Sequence, residues 1–459
     1  MMKDKTCVVV GGGIVGLLAA YLAAKKFTKV ILIEKSLNAG GLLGSFEFNG
    51  ALYDYGTHFP SITNIDDLDQ ILYGTKNERT EKYEHFPYLK SENYFMGEWN
   101  LSSPLPSTLS LPREVYAQGI IELLEAPGSN PSELNFEKYL ISTFGNTFTT
   151  HIYKPILKKL LNEDLGKLDK NVLKVFGIQR LIALTSEVTK DLKSIPKYND
   201  CLGFHSYTDG APTLPYCYPK GSNGIGFWSD ELFKKTLQAG VEIKTSKFVC
   251  NIDLNNTKIK SVELNDGSQI KCDLVFWSIS PTLALKAAGV KISSIPPKFR
   301  SHTLCHFEFE GPFLKLFPQY LLCWDVEMIS YRITLYPNIT KDKSKLQRYN
   351  LTVEVLSDAS AETRSQYILE KVLDEIRLMK IVSYDNKVLA SKVEYMGNSF
   401  PILTVEFIDN LHKMNTQIND NFSNLILLGR GSGGNFFIND LLIDTYNKLQ
   451  TIAEDYDDR

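Results

Sequence analysis

A chain of 459 residues, 43% hydrophobic and 22% charged, is long enough for two or three domains with full cores and is ordinary for a water-borne protein. Its net charge of −3, with no basic tract, speaks against nucleic acid as a partner. Seven scattered cysteines, never in a CxxC pair, fit a reducing compartment. The fold is expected to begin by Thr6, which leaves no room for a cleaved leader, and no apolar run reaches the roughly 20 residues of a bilayer span. A cytoplasmic protein without a transmembrane segment is therefore expected.

The first strand, Val8-Val9-Val10, runs into Gly11-Gly12-Gly13-Ile14-Val15-Gly16 and then an apolar helix from Leu17 to Ala24. In that spacing Gly11 makes the strand-to-helix turn, Gly13 lets phosphate oxygens approach the main chain, and Gly16 lets the helix pack closely on the strands. The helix N-terminus offers unpaired N–H groups to the anion. A second run, Lys29-Val30-Ile31-Leu32-Ile33, ends at Glu34, 18 residues beyond Gly16, where a carboxylate can accept hydrogen bonds from an adenosine ribose and disfavours the 2′-phosphate of NADP. The alternative is a βαβ unit with no ligand. Gly40-Gly41 follows, and then a short hairpin: Ser45-Phe46-Glu47-Phe48, an Asn49-Gly50 turn, and Ala51-Leu52-Tyr53. It returns Asp54-Tyr55-Gly56-Thr57-His58 toward the nucleotide.

From 61 to 215 the pattern turns mainly helical, with helices expected over Glu133 to Phe144 and Thr149 to Leu161 and an irregular loop over Leu101 to Pro112. A turn-rich segment, Tyr218 to Gly226, precedes a helix from Phe227 to Ala239 closed by Gly240. Strands follow at 241–243, 248–254, 259–264 and 269–271, and then the buried-looking run Leu274 to Ile279. Residues 295–410 are strand-rich, alternating over Tyr331 to Tyr336 and Leu351 to Leu356, with one helix from Arg364 to Met379. Within them His302 and His306 are four apart; on a strand that spacing is roughly 13 Å, too far for a shared metal. Asn424 to Leu428 is a parallel-type strand, stopping at Gly429-Arg430-Gly431-Ser432-Gly433-Gly434 before a helix from about Phe437. The expected architecture is α/β. A Rossmann-like dinucleotide domain is assembled from three segments (1–60, 216–294, 411–459), with a helical insertion (61–215) and a β-rich substrate domain (295–410).

These markers, in this order, resemble the flavoprotein superfamily of amine oxidases, protoporphyrinogen oxidase, carotenoid desaturases and UDP-galactopyranose mutase. The resemblance implies FAD rather than NAD, held by Gly11, Gly13, Ile14, Val15, Gly16, Glu34, Lys35, Gly40, Gly41, Leu42, Asp54, Gly56, Thr57, His58, Gly429, Arg430 and Asn439, with His58 over the flavin. Two segments are similar to the mutases: Tyr331-Arg332-Ile333-Thr334-Leu335-Tyr336-Pro337-Asn338, whose arginine would grip a substrate diphosphate, and Gly429-Arg430-Gly431. Arg332, Arg430 and His58 are thus the expected catalytic residues. An arginine fork suits a diphosphate because it makes paired, charge-assisted hydrogen bonds. The mutase resemblance implies a nucleotide-linked sugar whose ring is isomerised with reduced flavin, NAD(P)H being a possible reductant. The chain departs from that pattern at Asn435-Phe436-Phe437-Ile438-Asn439, where the mutases carry tyrosines, and at Ile152-Tyr153-Lys154-Pro155, where Tyr153 would have to stack on the base. Neither the sugar, the nucleoside nor an oligomeric state is specified. The alternative enzyme is an oxidase-like oxidoreductase taking a hydride from a small molecule, with Lys220 positioning a water. A third reading, a non-catalytic binding protein similar to Rab GDP-dissociation inhibitors, is opposed by the intact glycines and Glu34.

Overall fold

The computed structural model describes residues 2–101, 103–129, 132–133, 135–210, 214–221, 224–292, 297–341, 348–358 and 363–457. Ser102 of the expected loop, Leu134 of the expected helix, and Ser222 and Asn223 of the turn-rich segment lie outside the described residues.

Five parallel strands form the central sheet in the order Leu425–Leu427, Leu274–Trp277, Met2–Val10, Phe27–Ile33, Glu242–Lys244. Alternation along each strand divides their apolar side chains between two cores. Cys7, Val9, Leu32 and Phe276 pack with helices Ile14–Ala24, Gly226–Gln238 and Ile438–Asp457. Val8, Val10, Ile33 and Trp277 pack with a three-stranded antiparallel sheet (Val249–Asn255, Lys258–Leu264, Gln269–Lys271) and helix Val405–Asn421. Burial on both faces is why these strands read as continuous apolar runs. No helix among the described residues is long and apolar enough to cross a membrane.

A second, seven-stranded sheet runs Val388–Pro401, Phe299–Phe309, Tyr349–Ser357, Arg332–Leu335, Tyr320–Cys323, Ser91–Phe95, Glu98–Asn100. All neighbours are antiparallel except Tyr320–Cys323 with Ser91–Phe95. Cys305, Phe307, Ile333, Leu335 and Val353 form an apolar face covered by helix Ser365–Leu378 through Ile368, Val372 and Ile376. The opposite face carries His302, His306, Arg332, Thr334, Thr352 and Glu354, so the pleat sorts this sheet into one side that builds core and one side that builds chemistry.

The segment boundaries differ from expectation in two places. Strands 91–95 and 98–100, within the stretch expected to be helical, form a hairpin that joins the large sheet through Tyr320–Cys323, a partner more than 200 residues away that leaves no local trace. Helix Val405–Asn421 runs unbroken across the expected boundary at 411, having no glycine or proline within it. The helix expected from Glu133 spans Phe136–Phe148, with Gly145 at φ 81° marking a kink, and continues through a π-turn at Thr149–Tyr153 into Lys154–Leu161. The strand expected over 331–336 stops at Leu335, where Pro337 in the first turn favours a short helix, Tyr336–Ile339.

One partly buried cation ties the helical layer to the large sheet. Lys159 Nζ donates to the carbonyls of Cys323 (2.8 Å), Asp325 (2.7 Å) and Ser330 (2.8 Å). The Glu375 carboxylate takes the N–H groups of Ile329 (2.8 Å) and Ser330 (2.9 Å) in the same turn. Lys159→Ala leaves three shielded carbonyls without their donor, and a stability loss of about 3 kcal/mol is expected in urea titration. An unchanged midpoint would show the tie to be dispensable.

Candidate cofactor and substrate site

The glycine turn is built around two close approaches. Gly11, at φ +102°, donates its N–H to Ile33 O at 2.8 Å, and a Cβ placed on Gly16 would lie 1.8 Å from Gly11 O. The helix therefore sits directly on the strand end, in contact that only glycine allows at position 16. Gly13 is different: a Cβ there would meet no described atom within 4 Å, and its φ of −69° suits any residue. The first intrahelical bond runs from Leu17 N to Gly13 O, and Gly13 brings no side-chain cap, which leaves the N–H groups of Ile14, Val15 and Gly16 directed at that open space. This is the donor set of a phosphate cradle.

The cradle's other walls come from the next turn of chain. Gly40 N donates to Gly12 O at 2.8 Å, and a Cβ on Gly41 would stand 3.3 Å from Gly13 Cα. Glu34 Oε2 accepts the Gly12 N–H at 2.6 Å and Oε1 the Ser36 N–H at 2.7 Å, so the carboxylate is oriented by backbone donors with lone pairs remaining for a ribose. Lys35 and Leu42 are exposed at this edge.

Asp54 is buried at the seam between hairpin and sheet. Its carboxylate accepts from Ser45 Oγ (2.6 Å), Tyr218 Oη (2.5 Å) and the Ile225 N–H (2.9 Å), while its own N–H donates to Tyr336 Oη (2.9 Å). Burial pushes it up to about 6 against those three donors. Its side chain is thereby committed to protein partners, holding the 45–58 segment to the Tyr218 segment and the large sheet.

Beyond Asp54 the chain is pinned by a residue the sequence reading missed. Glu354, 1% exposed, accepts both Nε and Nη2 of Arg332 at 2.8 Å and the Thr57 N–H at 2.8 Å. His302 Nε2 lies 3.7 Å away, and a Cβ on Gly56 (φ +104°) would lie 3.4 Å from the same carboxylate. Burial would raise Glu354, but Arg332 outweighs it and holds the carboxyl at about 2. The missed signal was a charged residue in step with inward positions of an alternating strand. Two nitrogens of the Arg332 fork, expected to grip a diphosphate, hold Glu354, and Nη1 makes no hydrogen bond among the described residues.

His58 is half-buried, its Nε2 donating to Tyr55 O at 3.2 Å, and burial, with Arg332 nearby, lowers it to about 4, so the ring is neutral near pH 7. Arg430, on the turn after the last parallel strand, has an exposed side chain that is nonetheless crowded by protein. Its Nε donates to Phe436 O at 3.2 Å, its guanidinium stands 4.4 Å from the Phe436 ring centroid, and it pairs with no carboxylate among the described residues. Gly429 adopts φ +67° to make that turn. Both arginines act electrostatically on His58 and His302, which marks these four side chains as one neighbourhood.

Other expected residues lie elsewhere. The Asn439 side chain locks the loop after His58 through Ser61 O (2.5 Å) and Ser61 Oγ (2.8 Å). Tyr153 is wholly buried, 4.5 Å from Phe144 in the helical core, and cannot stack on a base. Lys220 Nζ donates to Thr80 O at 2.7 Å. His302 turns to Ser399 and His306 to Thr352, with separate partners.

The comparisons agree with this geometry. Residues 9–66 match the model of an NAD(P)-binding Rossmann-like domain. Over 285 residues the chain is 26% identical to the 1-hydroxycarotenoid 3,4-desaturase of Flavobacterium sp. (strain P99-3), covering 58% of this chain and 54% of that one. The chain spans about half the length of the curated relatives it matches. Among solved structures, reduced UDP-galactopyranose mutase superposes with TM-score 0.74 at 16% identity, covering 94% of this chain and 89% of the other. A protein provisionally named a protoporphyrinogen oxidase, from Exiguobacterium sp. 255-15, gives 0.68 at 14% over 99% and 100%. The chain thus shares its overall fold with these mutase and oxidase structures. The backbone donors of the glycine turn and the Glu34 carboxylate suit the pyrophosphate and ribose of an adenine dinucleotide.

Two measurements probe the site. Gly13→Val is expected to fold with little change in stability yet purify without the yellow FAD absorbance, whereas Gly16→Val, which meets backbone, is expected to lose about 3 kcal/mol or fail to fold; a fully loaded Gly13→Val protein would contradict the cradle. Glu354 is lowered on folding, so its contribution is present above pH 4.5 and lost as pH falls toward 2, about 3 kcal/mol in all. Urea titrations over that range should show a flatter acid limb for Glu354→Gln, and identical limbs would remove the pair's role.

Proposed function

We propose that this enzyme isomerises the sugar ring of a nucleotide-linked sugar with reduced FAD. The observation that carries the reading is the charge balance of the cleft: Glu354 is neutralised by Arg332, while Arg430 keeps an uncompensated positive charge. A cationic amine would meet net repulsion there, and a diphosphate net attraction. The structural likeness to UDP-galactopyranose mutase supports the same reading.

Bound FAD supplies the reactive centre, an electron-rich ring nitrogen when reduced or a hydride acceptor when oxidised. The chain's own side chains bind and orient. Arg430 grips one phosphate, and Arg332 offers Nη1 to the other while Glu354 fixes its plane. Neutral His58 lines the cleft without adding charge, and the Tyr331 and Phe436 rings stand 5.6 Å and 4.4 Å from the Arg332 and Arg430 guanidinium groups and help orient them. Such an enzyme needs no Ser, Cys or His nucleophile.

A second reading, hydride removal from a small substrate, is favoured by the desaturase and oxygenase names of the sequence relatives. The two separate on one experiment. Under the mutase reading, dithionite or NAD(P)H switches on ring isomerisation of a nucleotide sugar. Peroxide formed in air upon substrate addition, with no isomerised product, would favour the second. Arg430→Ala should lower kcat/KM by roughly tenfold to 150-fold, about 1.5 to 3 kcal/mol, while FAD stays bound. Unchanged turnover would end the assignment of Arg430 to an anion.

A further inference from the structure

One end of the seven-stranded sheet carries a concentration of exposed apolar side chains that the cleft does not use. The loop from Gly311 to Gln319 buries Phe313 and presents Leu314 (55% exposed), Leu316 (58%) and Phe317 (70%) to solvent. Beside it, Tyr384 is 67% exposed and Leu378 56%. The two segments are tied by Leu314 N to Ile381 O at 2.9 Å, and by the Asn386 side chain, which accepts the Gly311 N–H at 2.9 Å and donates to Gly311 O at 3.0 Å. The apolar tip is therefore held outward by a braced loop.

Its rim is basic. Lys90 exchanges hydrogen bonds with Gln319 through its backbone and sets its Nζ 5.9 Å from the Phe317 ring; Lys387 O receives the Glu310 N–H at 3.0 Å; Lys380 precedes Ile381. All three lysines are exposed. The acids on these segments, Glu310 and Asp385, are outnumbered by the three lysines by one, while Glu92 is matched by Lys315 at 2.7 Å. A locally positive rim on a chain of net charge −3 is the opposite of its average surface.

We propose that this end of the sheet docks on an anionic lipid surface, with Leu314, Leu316 and Phe317 entering the interfacial layer and Lys90, Lys380 and Lys387 meeting the headgroups. Aliphatic and aromatic tips ringed by lysine are the composition that layer accepts, and such contact needs no spanning helix. The loop leads into Tyr320, whose ring lies 6.2 Å from Phe59 next to His58, so docking would set one end of the cleft toward the lipid.

Sedimentation of the FAD-loaded protein with vesicles tests this. Vesicles containing phosphatidylglycerol should bind it at least about tenfold better than pure phosphatidylcholine, with binding weakened by salt. The triple variant Leu314→Ser, Leu316→Ser, Phe317→Ser should lose that binding while keeping its flavin absorbance, and Lys90→Glu with Lys387→Glu should lose the preference for anionic lipid. Absence of binding, equal binding by the triple variant, or no preference between the two vesicles would overturn the proposal. So would a dimer in light scattering that the triple variant breaks without any lipid binding, since the patch would then belong to a second copy.

Discussion

A buried carboxylate must have its oxygens matched, and the way Glu354 meets that requirement organises the middle of this molecule. Its partners come from two layers: Arg332 from the neighbouring strand and the Thr57 N–H from the loop that follows the hairpin. Losing either charge of such a pair strands the other in a medium that solvates it poorly. The pair thus fixes how the loop carrying His58 sits on the sheet carrying the substrate-side residues, and it leaves the cleft's remaining charge to Arg430. Asp54 performs a parallel task one turn earlier with neutral donors, and its elevated titration shows the difference between being hydrogen-bonded and being ion-paired.

Much of the dinucleotide half is legible in the sequence, because backbone geometry leaves few alternatives there. Gly11 and Gly16 are required by contacts that a single carbon would violate, Gly13 by a space that must stay open, and Glu34 by its place at a strand end. The substrate half is less legible for a physical reason. Arg332 is recognisable on its strand, but that two of its nitrogens hold Glu354 is a tertiary fact that no local pattern encodes. Tyr153 reads as an available ring only until the helical core closes over it. Strands 91–95 and 98–100 are short, and their place depends on a partner contributed by residues 320–323.

The two ends of the site work by different physics. At the glycine turn the attraction for phosphate comes from unpaired N–H groups and a helix dipole, which need no side chain and cannot titrate. Near the sheet the positive charge is carried by guanidinium groups, one of them already balanced. On the function proposed above, such a site would keep its cofactor by shape and backbone and select its substrate by charge.

The threading of the central sheet has a consequence for how the protein is made. Leu425–Leu427 completes the sheet against Leu274–Trp277, and Arg430 follows it, 390 residues after Gly40. At ribosomal speeds of about 5–20 residues per second, the glycine turn emerges long before the wall that completes its site. From the emergence of residues 274–277 until 425–427 follow, that strand lacks its outer neighbour, and only late in translation is the sheet that frames the glycine turn complete.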